Sequence, residues 1–332
     1  MKILHTLHWI QFAGTEKVCV DLCNEMVKEH QVCLLSNENI KPYIDDPVEL
    51  IKFDFQKNRH NPLFLYQTAK LLEKISPDII HCHNTKEIEI MKYAQFFLKK
   101  KIPIVATKHT LQYKKKYNLA DLCVAILEDT QQLLKQESII IKNGMAYKSP
   151  SKISRTEKFY IVLTGRLDRM KGFDIAIEAL SSVDFDFECH IFGEGEEKNN
   201  LQQLINELNL KEKVFLKGFS NQINNILYSC DLHIIPSRFE PYGLVAIDAI
   251  YYAPLMISSH TGISEQILPE SLKFDSNVQA LTSKIIEAYE NYGDFVGEFE
   301  KIKATKDRFS IEKMSSSYVD AYQSLIESRS FN

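Results

Sequence analysis

Short apolar runs alternate along this chain with longer segments whose apolar residues return every three or four positions. KILHTLH (2–8) and QVCLLS (31–36) read as strands, and between them Val18, Leu22 and Met26 fall on one face of a helix predicted over 15–30. Thr15, following Gly14, is its expected cap. The pattern continues with PDIIHCHN (77–84), a helix to about residue 100, IPIVATKH (102–109), DLCVAIL (121–127) and SIIIKNG (138–144). Strands alternating with helical segments predict a doubly wound parallel sheet.

Residues 145–158, MAYKSPSKISRTEK, lose the apolar pattern and read as a linker. Alternation then restarts with FYIVLTGRL (159–167), a helix from about 172, FECHIFG (187–193), a helix over 196–208, KVFLKG (213–218), a helix over 220–229 and DLHIIPS (231–237). The expected organisation is an α/β domain over 1–150, a second over 151–310, and a closing segment 311–332 that packs its helix back on the first domain. Two Rossmann-like, doubly wound domains are expected to face each other across a cleft at the carboxyl ends of their strands, where such sheets bind ligands.

Composition changes this picture little. The chain has 332 residues, 45% of them apolar, and a formal charge of −4, which gives no general attraction to nucleic acid. Its seven cysteines include no CxxC pair and sit in apolar segments, which fits buried thiols in a reducing compartment. No apolar run reaches the length of a membrane span, so the expected location is the cytoplasm, with at most peripheral contact with the inner membrane.

The strand ends carry the candidate chemistry. The strand at 159–167 runs into TGRLDRMKG, placing Arg166 at its tip and Lys171 just before a helix, so that two cations and a helix N-terminus converge on a spot suited to a diphosphate. In PSRFEPYGLVAIDAI (236–250), Pro241 and Gly243 fit a tight helix entry, with Glu240 just before it. If Tyr242 is about the first helical residue, Asp248 lies nearly two turns inside an apolar run, where a carboxylate needs a hydroxyl or cation partner.

With these segments in view, the chain resembles the retaining, nucleotide-sugar-dependent glycosyltransferases of family 4, which have the GT-B fold. The resemblance is carried by FAGTE (12–16), DIIHCH (78–83), ATKHT (106–110), IKNGM (141–145), GRLDRMKG (165–172), FGEG (192–195), EPYGLVAID (240–248) and HTGISE (260–265), in the family's order. It implies that Arg166 and Lys171 bind the donor diphosphate and steady the leaving nucleotide, that Glu240 contacts donor-sugar hydroxyls, and that Asp248 holds the ribose. The amides of Gly243, Leu244 and Val245 would bind phosphate or sugar. Gly14 would line a loop beneath the donor, and His109 would stand near the donor sugar. The implied partners are a nucleotide-diphosphate sugar and a glycan or glycolipid acceptor, such as a lipopolysaccharide or other bacterial surface-glycan intermediate. No cofactor or metal is implied, and the chain has no Asp-x-Asp motif. The alternatives are a GT-B nucleotide-sugar epimerase and a non-catalytic sugar-binding or scaffold protein.

The chain departs from the family pattern at two positions: Asp248 stands where glutamate is usual, and Thr261 where a second glycine is common. Histidines recur at His5, His8, His81 and His83, but a metal site needs a third ligand of defined geometry, and packing or hydrogen bonding is the favoured reading. FGEGEE lacks the third glycine of a dinucleotide loop, and its acids oppose a pyrophosphate. KKK (99–101) reads as a solvated helix end. QYKKKY (112–117) offers Lys114, Lys115 and Lys116, flanked by Tyr113 and Tyr117, to an anionic acceptor or phospholipid surface.

Overall fold

The computed structural model describes residues 1–8, 13–112 and 114–330. Phe12 and Tyr113 of the motifs above lie outside them. The chain divides into two compact units: Met1–Ala146 together with Phe309–Asn332, and Tyr147–Arg308.

The first unit is built on a seven-stranded parallel sheet of β1 (Lys2–Thr6), β2 (Gln31–Ser36), β3 (Glu49–Lys52), β4 (Ile79–Cys82), β5 (Ile104–Lys108), β6 (Leu122–Ala125) and β7 (Ser138–Ile140), in the order β3-β2-β1-β4-β5-β6-β7. Strand order reverses between β1 and β4, which makes their carboxyl ends the switch point of the sheet. His5 of β1 stands opposite His81 of β4 there.

The predicted helix over 15–30 is Gly14–Met26. Val18, Leu22 and Met26 are buried as its periodicity required. Its cap is not Thr15: the backbone is extended at Ala13 (φ −141°) and turns helical at Gly14, so Thr15 lies inside the first turn. The helix Ile311–Ser330 belongs to this same unit, with Tyr318 and Tyr322 fully buried. Its entry is tied to the first unit's exit. Met145 N donates to Phe309 O (2.9 Å), and Ile311 N donates to Met145 O (3.1 Å).

The second unit repeats the plan with β8 (Phe159–Thr164), β9 (Phe187–Phe192), β10 (Val214–Gly218), β11 (Leu232–Ile235), β12 (Met256–Ser259) and β13 (Lys273–Phe274), all parallel, in the order β10-β9-β8-β11-β12-β13. Its switch point lies between β8 and β11. The helix Phe173–Leu180 follows β8 and the helix Leu244–Tyr252 follows β11, so both begin near that point. Among the described residues no helix is long and apolar enough to cross a membrane, and the seven cysteines are all free and buried.

Candidate active site

In the second unit, β8 ends at Thr164 and the chain turns through 165–172 into the helix Phe173–Leu180. Asp168 organises this turn: one carboxylate oxygen accepts from Met170 N (3.0 Å) and the other from Arg166 Nε (2.6 Å). The Arg166 side chain, 58% exposed, is thereby oriented while much of its guanidinium stays open to a ligand. Gly172 ends the turn with φ +66°, and a Cβ there would lie 2.1 Å from the Pro236 carbonyl oxygen. This close approach brings the loop after β8 against the loop after β11.

Across that contact Lys171 Nζ donates to Glu240 Oε1. The same oxygen accepts from Ser237 Oγ at 2.9 Å, while the Glu240 amide donates to Thr261 Oγ1 at 2.7 Å. Ser237 is itself held through its carbonyl by Ser259 Oγ (2.5 Å). The Glu240 side chain is 6% exposed and that of Lys171 18%, so the pair is removed from most of the solvent that would screen it. Ser237 and Thr261 carry no role in the sequence reading. Thr261 figures there only as a lost glycine, yet its hydroxyl fixes the backbone of Glu240.

Gly243 caps the helix Leu244–Tyr252 in the left-handed region (φ +87°, ψ +62°). The amides of Leu244 and Val245 head a helix whose first turn lacks internal carbonyl partners, which makes this end a donor array with positive dipole character. Asp248 corrects the expectation drawn from Tyr242. The helix begins at Leu244, so Asp248 lies about one turn in rather than two, and it is half-buried rather than sunk in the apolar run. Behind the site, buried His233 bonds Thr164 Oγ1 through Nε2 (3.1 Å), and burial lowers its pKa to about 3.

The first unit gathers histidines at its own switch point. His83 lies between His5 and His109: His5 Nδ1 meets His83 Nε2 at 3.2 Å, and His83 Nδ1 meets His109 Nε2 at 3.2 Å. His81 bonds Thr107 Oγ1 (2.7 Å) and Tyr322 OH (2.7 Å), and Thr107 Oγ1 continues to Tyr318 OH (2.8 Å). The ring nitrogens of His5, His81 and His83 lie close enough to share an ion, which supplies the third histidine that the sequence left unplaced. Both nitrogens of His81 and of His83 already have protein partners, however, so hydrogen bonding accounts for these two rings. Burial keeps all four neutral, lowering His5 to about 3, His109 to about 4, and His81 and His83 well below the usual range.

Glu87 anchors this region and was missed in the sequence, where only the spacing Asn84-x-x-Glu87 of a capping box could have signalled it. Its carboxylate accepts from the amides of His8 (2.6 Å), His83 (2.8 Å) and Asn84 (3.1 Å) and from Thr6 Oγ1 (2.9 Å). Burial outweighs these donors and pushes its pKa up to about 7. Gly14 is the first residue of its helix, in the same unit.

The lysine run divides. Lys114 and Lys115 are exposed, whereas Lys116 Nζ pairs with buried Glu89 at 2.6 Å, beside Arg59 Nε at 3.1 Å. In KKK, Lys101 donates to the Leu98 carbonyl at the end of its helical segment.

Residues 147–304 match the family model described as Glycosyl transferases group 1, and residues 12–141 match the model described as Glycosyltransferase Family 4. The chain belongs to glycosyltransferase family 4. Among solved structures similar to this family-4 chain, a glycosyltransferase from Rickettsia africae superposes with a TM-score of 0.85 at 20% identity, covering 98% of each chain. Anabaena HepE in complex with UDP and glucose gives 0.82 at 20% identity, covering 98% of this chain and 100% of that one. The architecture is GT-B. Curated relatives include the Campylobacter jejuni N-acetylgalactosamine-N,N'-diacetylbacillosaminyl-diphospho-undecaprenol 4-alpha-N-acetylgalactosaminyltransferase, 36% identical over 107 residues, or 32% of this chain and 29% of the relative. They also include the Escherichia coli O-antigen biosynthesis glycosyltransferase WclY, 28% identical over 161 residues, or 48% and 45%. The family-4 chain thus spans less than half the length of each of these two relatives.

Proposed function

We propose that this protein transfers a sugar, with retention of anomeric configuration, from a nucleotide-diphosphate donor to a lipid-linked glycan or other surface-glycan intermediate at the cytoplasmic face of a bacterial membrane. The observation that carries this reading is the Lys171–Glu240 pair, seated between the helix entries at Gly172 and Gly243. A cation suited to a diphosphate beside a carboxylate suited to hydroxyl groups supports this reading. The undecaprenol-linked acceptor named for the Campylobacter relative and the O-antigen named for WclY support the acceptor class, and the UDP and glucose held by HepE support the donor class.

In this reading Lys171 and Arg166 hold the diphosphate, the amides of Gly243, Leu244 and Val245 cover its oxygens, and Asp248 accepts from the ribose hydroxyls. Glu240 accepts from hydroxyls of the sugar. As the bond from the anomeric carbon to phosphate oxygen breaks, negative charge grows on the leaving diphosphate, where pre-positioned cations and amides lower the barrier. The acceptor hydroxyl bonds to the anomeric carbon on the same face, and its proton passes to the departing phosphate oxygen. No protein nucleophile is needed in this reading, and Glu240, bound to Lys171 and Ser237, acts as an orienting group.

The test is acceptor-dependent release of nucleoside diphosphate, using donors chosen by thermal shift because a ligand of the folded state raises apparent stability. An α-configured product from an α-configured donor supports retention, and an inverted product rejects it. Conversion of the nucleotide sugar without acceptor would instead identify an epimerase.

A further inference from the structure

We propose that His5 and His83 act as positioning residues that fix the tautomer of His109, so that His109 presents its Nδ1–H as a hydrogen-bond donor and cannot serve as a base. The inference rests on the transferase reading and on the place near the donor sugar that the family resemblance implies for His109.

A neutral imidazole carries one N–H and one lone pair, and each of the two ring-to-ring hydrogen bonds needs one of each. Along His5–His83–His109 only two arrangements satisfy both bonds. Either all three rings carry the proton on Nδ1, so that His5 donates to His83 and His83 donates to His109, or all three carry it on Nε2 and donate in the opposite sense. The three tautomers are therefore set together. His83 cannot swing out of the chain. Its amide is bound by Glu87, its ring lies 4.2 Å from that of His81, and His81 is held by Thr107 and Tyr322.

The buried end selects between the two. His5 Nε2 is buried and has no hydrogen-bond partner among the described residues. In the first arrangement it is a bare lone pair. In the second it is an N–H without an acceptor, and orphaned buried N–H groups are the rarer case in folded proteins. The first arrangement is favoured, and at the other end of the chain it leaves His109 with Nδ1–H. A donor there suits an oxygen of the sugar or phosphate.

Long-range proton–nitrogen correlation spectra of protein labelled with 15N-histidine read the tautomer directly, with the His109 signals identified by their loss in His109→Asn. The expected result is a protonated Nδ1 on His109 in the unsubstituted protein. A protonated Nε2 overturns the proposal. In His83→Phe the constraint is gone, and His109 is expected to shift toward the Nε2–H form with transfer falling about tenfold, the worth of one neutral hydrogen bond. Retention of the Nδ1–H form in folded His83→Phe also overturns it. His5→Leu, which removes the other partner of His83, provides the same comparison if His83→Phe does not fold. Full transfer by His109→Asn would reject the donor-side role of His109 while leaving the tautomer result standing, so the two failures are distinct.

Discussion

Lys171 and Glu240 lie 69 residues apart in sequence and share a hydrogen bond between side chains that are 18% and 6% exposed. Cations in open clefts usually contribute little to stability; this one neutralises a buried acid. Lys171→Ala is expected to lower kcat by about 10²–10³-fold, as the loss of one fixed transition-state donor does. It should also destabilise the second unit by about 3 kcal/mol, because it strands the Glu240 charge. Steady-state kinetics and urea denaturation of the same preparation check both.

Two glycines in the left-handed region should respond differently to alanine. At Gly172 a Cβ would meet the Pro236 oxygen at 2.1 Å in addition to the backbone strain, whereas at Gly243 its nearest neighbours are Glu240 carbons at 3.7 Å. Gly243→Ala is expected to cost about 1–2 kcal/mol from conformation alone. Gly172→Ala should cost more and raise the donor KM by shifting Lys171. Equal denaturation midpoints for the two variants would contradict this.

Acid should unfold the protein through its histidines. His5, His109 and His233 have folded pKa values of about 3, 4 and 3, below the ordinary 6.5, so the stability they contribute is present above about pH 6.5 and is lost as pH falls toward 4. His109→Asn should flatten the denaturation free energy over that interval.

Glu87 has the opposite sign. Its folded pKa of about 7 lies above the usual carboxylate value, so its contribution is full below about pH 4.5 and is lost as pH rises through 7. Relative to the unsubstituted protein, Glu87→Gln should therefore gain stability progressively across that window, whatever its constant offset from altered hydrogen bonds. A pH-independent difference in urea titrations would show that Glu87 is not perturbed.

The lysine run separates two exposed side chains from one paired with a buried acid. Lys114→Ser with Lys115→Ser should weaken binding to anionic liposomes in a salt-dependent way and leave the midpoint of unfolding within about 0.5 kcal/mol. Lys116→Ser should lower stability, because Glu89 loses a partner at 2.6 Å.

Strands and helices were legible because burial enforces periodicity: Val18, Leu22 and Met26 could be assigned to a core face from spacing alone. Lys171 and Glu240 were legible as residue types at helix entries, but their bond was not, since it depends on how the loops after β8 and β11 meet at Gly172 and Pro236. The histidine chain was hidden for the same reason. His5 lies in β1, His83 just after β4 and His109 just after β5, and only the strand order brings them together. Thr261 misled because a hydroxyl's acceptor role depends on which amide lies opposite it.

The helix Ile311–Ser330 completes the first unit, although the whole second unit precedes it in the chain. During synthesis, the ribosome therefore delivers Tyr322 to His81 and Tyr318 to Thr107 only after residues 147–308 have emerged. The second unit holds all of its own strands and helices without that last helix, whereas the first is left with its histidine layer uncovered. Chains ending before residue 311 should contain a folded second unit and a first unit open to protease.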